Sequence, residues 1–191
     1  MPFKILGPYS LVVGHLEDNA SSLRIPYVKK KESLAKLQQQ VGGVGAGVYI
    51  FVVRHQREEG GKPWYVGITL RKSKGALHRE SLHNDKLRKY AVALTEAESG
   101  KPHLFFLAAD GKKDKIAELE QFLIWLGRQR TPKLLNEQKV TLSPKALHAH
   151  LQSHQIAGVL NPSPGHPGKN AKAFRAMIGW EAHMHVEEAS R

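Results

Sequence analysis

Two apolar runs rich in β-branched and aromatic residues, 48–53 (VYIFVV) and 64–69 (WYVGIT), flank a polar stretch that contains Gly60-Gly61. Such runs predict two strands, and the stretch between them predicts an antiparallel hairpin with a long loop. Each run also carries a glycine and a tyrosine in mirrored order. Gly47-Val48-Tyr49 opens the first, and Tyr65-Val66-Gly67 lies within the second. Glycine inside a strand weakens it unless backbone or a side chain must approach closely there. The hairpin therefore constrains the chain twice, fixing a sheet and placing two phenols on it.

The flanking sequence supplies helices. Residues 32–41 read as a helix with Leu34 and Leu37 on one side, broken by the glycines of 42–47. Those glycines do not read as a nucleotide loop, because such a loop follows a strand and opens a helix, the reverse of the order here. A helix is predicted from Gly75 or Ala76 to about Glu98, ended by Gly100-Lys101-Pro102. Residues 103–108 read as a third strand. Asp114 reads as the N-cap of a second long helix with Ile116, Leu119, Phe122, Leu123 and Leu126 on its apolar face, stopped by Thr131-Pro132. Before this unit, residues 9–13 suggest a short strand. After it, Pro144 opens a candidate helix to His154, 161–168 is a Pro/Gly-rich linker, and 171–178 is a short candidate helix. The predicted class is α/β (α+β), with a small three-stranded, mainly antiparallel sheet flanked by helices. Residues 1–41 form an N-terminal extension, 42–136 the core, and 137–191 a basic C-terminal extension.

Charge narrows the partners. The chain of 191 residues carries 29 Lys+Arg against 17 Asp+Glu, a net +12. The excess concentrates around the hairpin, where Arg54, Arg57, Lys62, Arg71, Lys72, Lys74, Arg79, Lys86 and Arg88 face only Glu58, Glu59, Glu80 and Asp85. A field of this sign attracts polyanions, so nucleic acid is the favoured partner, with Arg71, Lys72, Lys74 and Lys86 as its candidate contacts. The chain has no cysteine, which excludes disulfides and thiolate metal sites. No apolar run approaches the ~20 residues of a membrane span, and the start lacks a secretory signal, so no membrane partner and a cytoplasmic location are expected. His148, His150, His154, His183 and His185 lack a clustered acid or thiol, and read as surface histidines.

Taken in order, the two tripeptides, Arg79-Glu80-Ser81-Leu82-His83, Glu120-Gln121-Phe122-Leu123-Ile124, Pro132 and Asn136 resemble the GIY-YIG nuclease family. The resemblance spans about 47–136, roughly half the chain. Valine stands for the usual isoleucine in both tripeptides, the segment between them is longer than usual, Ile68 replaces a commonly polar residue, and Asn136 is displaced by one position. The resemblance implies a metal-dependent DNA endonuclease of a restriction, repair or mobile-element kind. Tyr49 would be the general base, Tyr65 would share its proton, Glu120 would hold one Mg²⁺ (or Mn²⁺), and Gly47, Gly67 and Asn136 would support the site. A dimer on DNA would allow both strands to be cut.

The chemistry agrees with these residue types. Arg79 offers phosphate a fixed fork of donors, and His83, four residues later on the same predicted helix, can relay a proton near neutral pH. Mg²⁺ keeps several waters and suits a site with one carboxylate. A phenol of pKa near 10 needs nearby cations to serve as a base, and Arg79, the metal and the basic surroundings are the expected source. Without those partners, Tyr49 and Tyr65 equally suit ordinary cross-strand aromatic roles. A catalytically silent nucleic-acid-binding module of the same fold is the alternative.

Overall fold

A computed structural model describes residues 3–17, 24–56, 58–108, 113–137 and 169–179. Its strands are β1 (Lys4–Ser10), β2 (Val13–Glu17), β3 (Arg24–Val28), β4 (Gly47–Arg54), β5 (Lys62–Thr69) and β6 (Lys101–Ala108). Its helices are α1 (Lys30–Val41), α2 (Ala76–Ser81), α3 (Asn84–Glu96), α4 (Lys113–Arg130) and α5 (Lys169–Ile178). The main sheet has four antiparallel strands in the order β1-β6-β4-β5, and β2 and β3 pair separately as a hairpin. The fold is mixed α+β, as expected, but the sheet is not three-stranded. The chain ahead of the core supplies β1, which pairs with β6 from Lys4↔Ala108 to Ser10↔His103. The short strand expected at 9–13 is instead the end of β1 and the start of β2.

β4 is the central strand, and seven of its eight residues are buried. A run without polar alternation is what a strand covered on both faces requires. Val48, Ile50 and Val52 pack with Val66, Phe105 and Leu107 beneath α4 and α5. Tyr49, Phe51 and Val53 pack on the other face with Leu104, Phe106, Leu37 of α1, Leu77 of α2 and Tyr90 of α3. The α4 face predicted from Ile116, Leu119, Phe122, Leu123 and Leu126 is the one that is buried, although the helix begins at Lys113 and puts Asp114 in its first turn. Phe174, Met177 and Ile178 of α5 are buried in the same core, so this segment completes the core as well as carrying charge. The candidate helix near 144–154, the linker 161–168 and the five histidines after residue 147 lie outside the described residues.

The long helix expected from residue 75 to 98 is two helices. α2 ends at Ser81, Leu82 leaves the helical path (φ −112°, ψ 22°), and His83 is extended before α3 starts. Ser81, His83, Asn84 and Asp85 all prefer caps and turns over helix interiors. Leu82 is fully buried at the break, and the Tyr90 hydroxyl donates to the Ser81 carbonyl at 2.8 Å, satisfying one orphan acceptor of α2.

Candidate active site

The hairpin delivers both tyrosines to the face covered by α2 and α3. Tyr49 pairs with Gly67 across β4 and β5, and a Cβ at Gly67 would lie 2.5 Å from both Cζ and Oη of Tyr49. The glycine is therefore fixed by the ring lying over it. Gly47, at φ +152°, would bring a Cβ within 2.3 Å of the Leu107 carbonyl oxygen, so it permits the close β4–β6 approach. The register slips between Phe51 and Val52, so that Phe51 faces Tyr65 and Val52 faces Pro63. Trp64 is the extra residue, and Trp64 and Tyr65 both join the α2/α3 side. A bulge re-aims the strand that carries it, and here it sets Tyr65 with its ring centroid 6.2 Å from that of Tyr49.

Asn136 anchors this geometry. Its Oδ1 accepts from the Val66 amide at 2.9 Å, and its Nδ2 donates to the Val66 carbonyl at 2.7 Å. The Leu135 amide donates to the Trp64 carbonyl at 2.9 Å, and Arg128 donates to the Asn136 carbonyl at 2.6 Å. Residues 134–136 thus cover the outer edge of β5 along the tyrosine tripeptide. The Asn136 side chain therefore holds β5 backbone.

Lys86 connects the charged groups. Its Nζ lies 2.5 Å from Asp85 Oδ2 and 5.6 Å from the Tyr65 ring centroid, while Lys89 Nζ stands 5.2 Å from the same ring. Burial pulls the Lys86 ammonium down, but Asp85 and the Tyr65 hydroxyl outweigh it and raise its pKa overall. Burial likewise pushes Asp85 up, yet hydrogen bonds from Lys86 and His83 hold it down at about 2. Glu120, half-buried on α4, is pushed up to about 7 by burial, against the pull of the Lys86 charge. Lys86 is thereby the group whose charge reaches Tyr65, Asp85 and Glu120, and its side chain is only 18% exposed. Lys86, expected among the nucleic-acid contacts, is thus partly exposed and engages Asp85 and the Tyr65 ring.

Two other expectations change. Tyr49 is fully buried, and its hydroxyl has no hydrogen-bond partner among the described residues. Burial raises its pKa, reinforced by Tyr90, Tyr65, Glu80 and Asp85. The basic surroundings do not bring this phenol down, because the charges that act on it most are acids. His83 does not share a helical face with Arg79, since the chain breaks between them; it turns its Nδ1 to Asp85 Oδ1 at 2.5 Å.

Arg79 is exposed on α2, and its guanidinium has no hydrogen-bond or ion-pair partner among the described residues. Arg71, Lys72 and Lys74 are exposed on the connector between β5 and α2. That connector packs on the glycine segment, where a Cβ at Gly45 would meet the Lys72 carbonyl at 2.6 Å. Three participants go beyond the sequence reading. Lys89 sits one turn beyond Lys86, a spacing that signals it, and it pairs with Glu137 at 3.0 Å. Asp85 reads in the sequence only as an opposing charge. His78 is buried with Nδ1 unpartnered, and burial followed by the Arg79 charge lowers its pKa; nothing in its sequence context marks that.

Among the described residues no group of three His, Asp or Glu side chains could cage a metal. A single partly desolvated carboxylate does fit a cation that keeps most of its waters, because the cation's charge relieves the cost of ionising Glu120. Comparison with protein-family models, curated proteins and solved structures finds no match for this chain. No helix among the described residues is long and apolar enough to cross a membrane.

Proposed function

We propose that this chain is a metal-dependent endonuclease that hydrolyses DNA phosphodiester bonds, of the GIY-YIG kind. The observation that carries the reading is that Tyr49 and Tyr65 lie together on one face of the hairpin with Lys86 and Lys89 beside the Tyr65 ring, while the Lys86 charge also acts on Glu120 of α4. The order β6-β4-β5, with helices on both faces, supports it. Glu120 would hold one Mg²⁺ or Mn²⁺ ion, which when bound neutralises charge on the phosphate.

This chain's own residues do the rest. Arg79, exposed and unpaired among the described residues, receives the phosphate through its guanidinium fork. Arg71, Lys72 and Lys74 hold the adjoining backbone. Lys86 and Lys89 stand beside the Tyr65 ring, where positive charge steadies a phenolate as it forms. Tyr65 is itself buried at 8% exposure but has two ammoniums beside its ring, and is therefore the better-placed base, with the fully buried Tyr49 behind it. His83, exposed and paired with Asp85, can carry the proton to solvent.

The deciding experiment is cleavage of supercoiled plasmid with Mg²⁺ or Mn²⁺, comparing wild type, Tyr65→Phe, Tyr49→Phe and Glu120→Ala, with EDTA as control. Metal-dependent nicking lost in Glu120→Ala and Tyr65→Phe supports the nuclease. The sealed Tyr49 hydroxyl favours one other reading, a silent nucleic-acid-binding module, and binding without cutting on plasmid, branched DNA and RNA would establish it.

A further inference from the structure

A second cationic feature lies at the other end of the sheet. Arg54 closes β4 and is paired with Lys101, which opens β6. With His55, Ser99 and His103 these residues line an open groove of about 700 Å³. Among the described residues no Asp or Glu side chain lines it, and neither Arg54 nor Lys101 forms an ion pair. The Arg54 Nε donates to the Glu58 carbonyl at 2.7 Å, and the outer nitrogens of its fork have no hydrogen-bond partner among the described residues. The Glu58 carboxylate accepts from the His55 amide at 3.5 Å. His103 Nδ1 meets the Lys101 carbonyl at 3.0 Å, so this nitrogen carries the proton and Nε2 is left over. His55 Nδ1 meets the Ser99 hydroxyl at 3.0 Å.

The cations here crowd one another. Burial holds His103 below its ordinary value, and Arg54, Lys36 and Lys101 add to that against the Lys101 carbonyl. An uncompensated group of this kind, built from a fork, an ammonium, imidazoles and a hydroxyl, is suited to phosphate oxygens. The groove is open rather than enclosed, and among the described residues no aliphatic, Phe, Tyr or Trp side chain lines it. Its charged and hydrogen-bonding groups suit the phosphate backbone.

We propose that the groove of Arg54, His55, Lys101 and His103 binds the phosphodiester backbone of nucleic acid as a second contact, separate from the site around Tyr65. Arg54 lies three residues along β4 from Phe51, the register partner of Tyr65, about 10 Å at ~3.3 Å per residue. The groove and the Tyr65 site are therefore near enough for one stretch of nucleic acid to touch both. The inference rests on the nucleic-acid reading above but not on catalysis.

The test is fluorescence anisotropy with a labelled 30-bp duplex in EDTA across a salt series, comparing wild type with Arg54→Ala/Lys101→Ala. Both positions are exposed, so the fold should tolerate the change. A control variant, Lys113→Ala/Lys115→Ala, removes equal charge from α4. Loss of two phosphate contacts should make the slope of log K against log salt shallower by about 1.8, with a clearly smaller change in the control. An unchanged slope, or an equal change in the control, overturns the inference. A free phosphate compound is the other source of the same chemistry. If ATP binds saturably, and the groove variant loses that binding while keeping the duplex slope, the groove is a small-anion site and the inference also falls. Cutting by wild type with no slope change removes only the groove, whereas the expected slope change without cutting removes only the nuclease.

Discussion

Replacing Glu120 by glutamine should make the protein more stable at neutral pH while abolishing the proposed metal-dependent cutting. The carboxyl is pushed from 4.5 to about 7 by burial. The folded chain therefore holds a proton between those values that the unfolded chain has released. Stability from this group is full below pH 4.5, falls as pH rises through the window, and levels off above 7. Each pH unit between the two values corresponds to ~1.4 kcal/mol. Glu120 keeps part of its surface in water, which screens the effect, so about 1–2 kcal/mol is expected rather than the full product. Glutamine mimics the protonated form without titrating. Urea denaturation at pH 5 should give the two proteins similar stability. At pH 8 the variant should be more stable by about 1–2 kcal/mol, and the difference between the curves removes the histidines common to both. Mg²⁺ at pH 8 should stabilise wild type and shift its midpoint upward, with no effect on the variant, because only the ionised carboxylate offers a ligand. If the two proteins keep the same stability difference from pH 5 to 8, Glu120 is not desolvated as described. If Mg²⁺ stabilises both equally, Glu120 is not the ligand.

Tyr49→Phe removes a buried hydroxyl that has no partner among the described residues, so thermal unfolding should show stability unchanged or raised by up to about 1 kcal/mol, whatever happens to cutting. Gly67→Ala forces a methyl into the Tyr49 ring and should cost about 2–3 kcal/mol by denaturant titration; a neutral result would mean the ring does not lie over the glycine. Asn136→Ala strands the Val66 amide and carbonyl and should cost about 2–3 kcal/mol, with faster hydrogen exchange at Val66 than elsewhere in β5. Phe174→Ala should cost about 3–5 kcal/mol if α5 belongs to the core; a change below ~1 kcal/mol would make that helix an appendage.

The strands and helices are legible where pattern and environment agree. The unbroken apolar run of β4 suits only a covered strand, and the periodicity of α4 names its buried face without reference to packing. The tripeptides mark where strand meets strand, since a glycine opposite a tyrosine in register is a local requirement of the hairpin. By contrast, the break at Leu82–His83 shows in the sequence only as a cluster of cap- and turn-favouring residues, and the Tyr90 hydroxyl bond to the Ser81 carbonyl that accompanies it is a contact periodicity does not reveal. The fourth strand is not legible because the Lys4–Ser10 segment, with Gly7 and Pro8, has weak propensity and becomes a strand only when β6 offers an edge.

The sequence alone thus determined the hairpin, the apolar faces and the identity of the charged groups, because these follow from chain-local chemistry. Tertiary structure alone decided their states. It buried Tyr49 away from the cations expected to activate it, drew Lys86 in beside Tyr65 and Asp85, and split Arg79 from His83. Proton affinity and orientation are set by which groups from distant segments share a low-dielectric space, and that is a property of packing rather than of order along the chain.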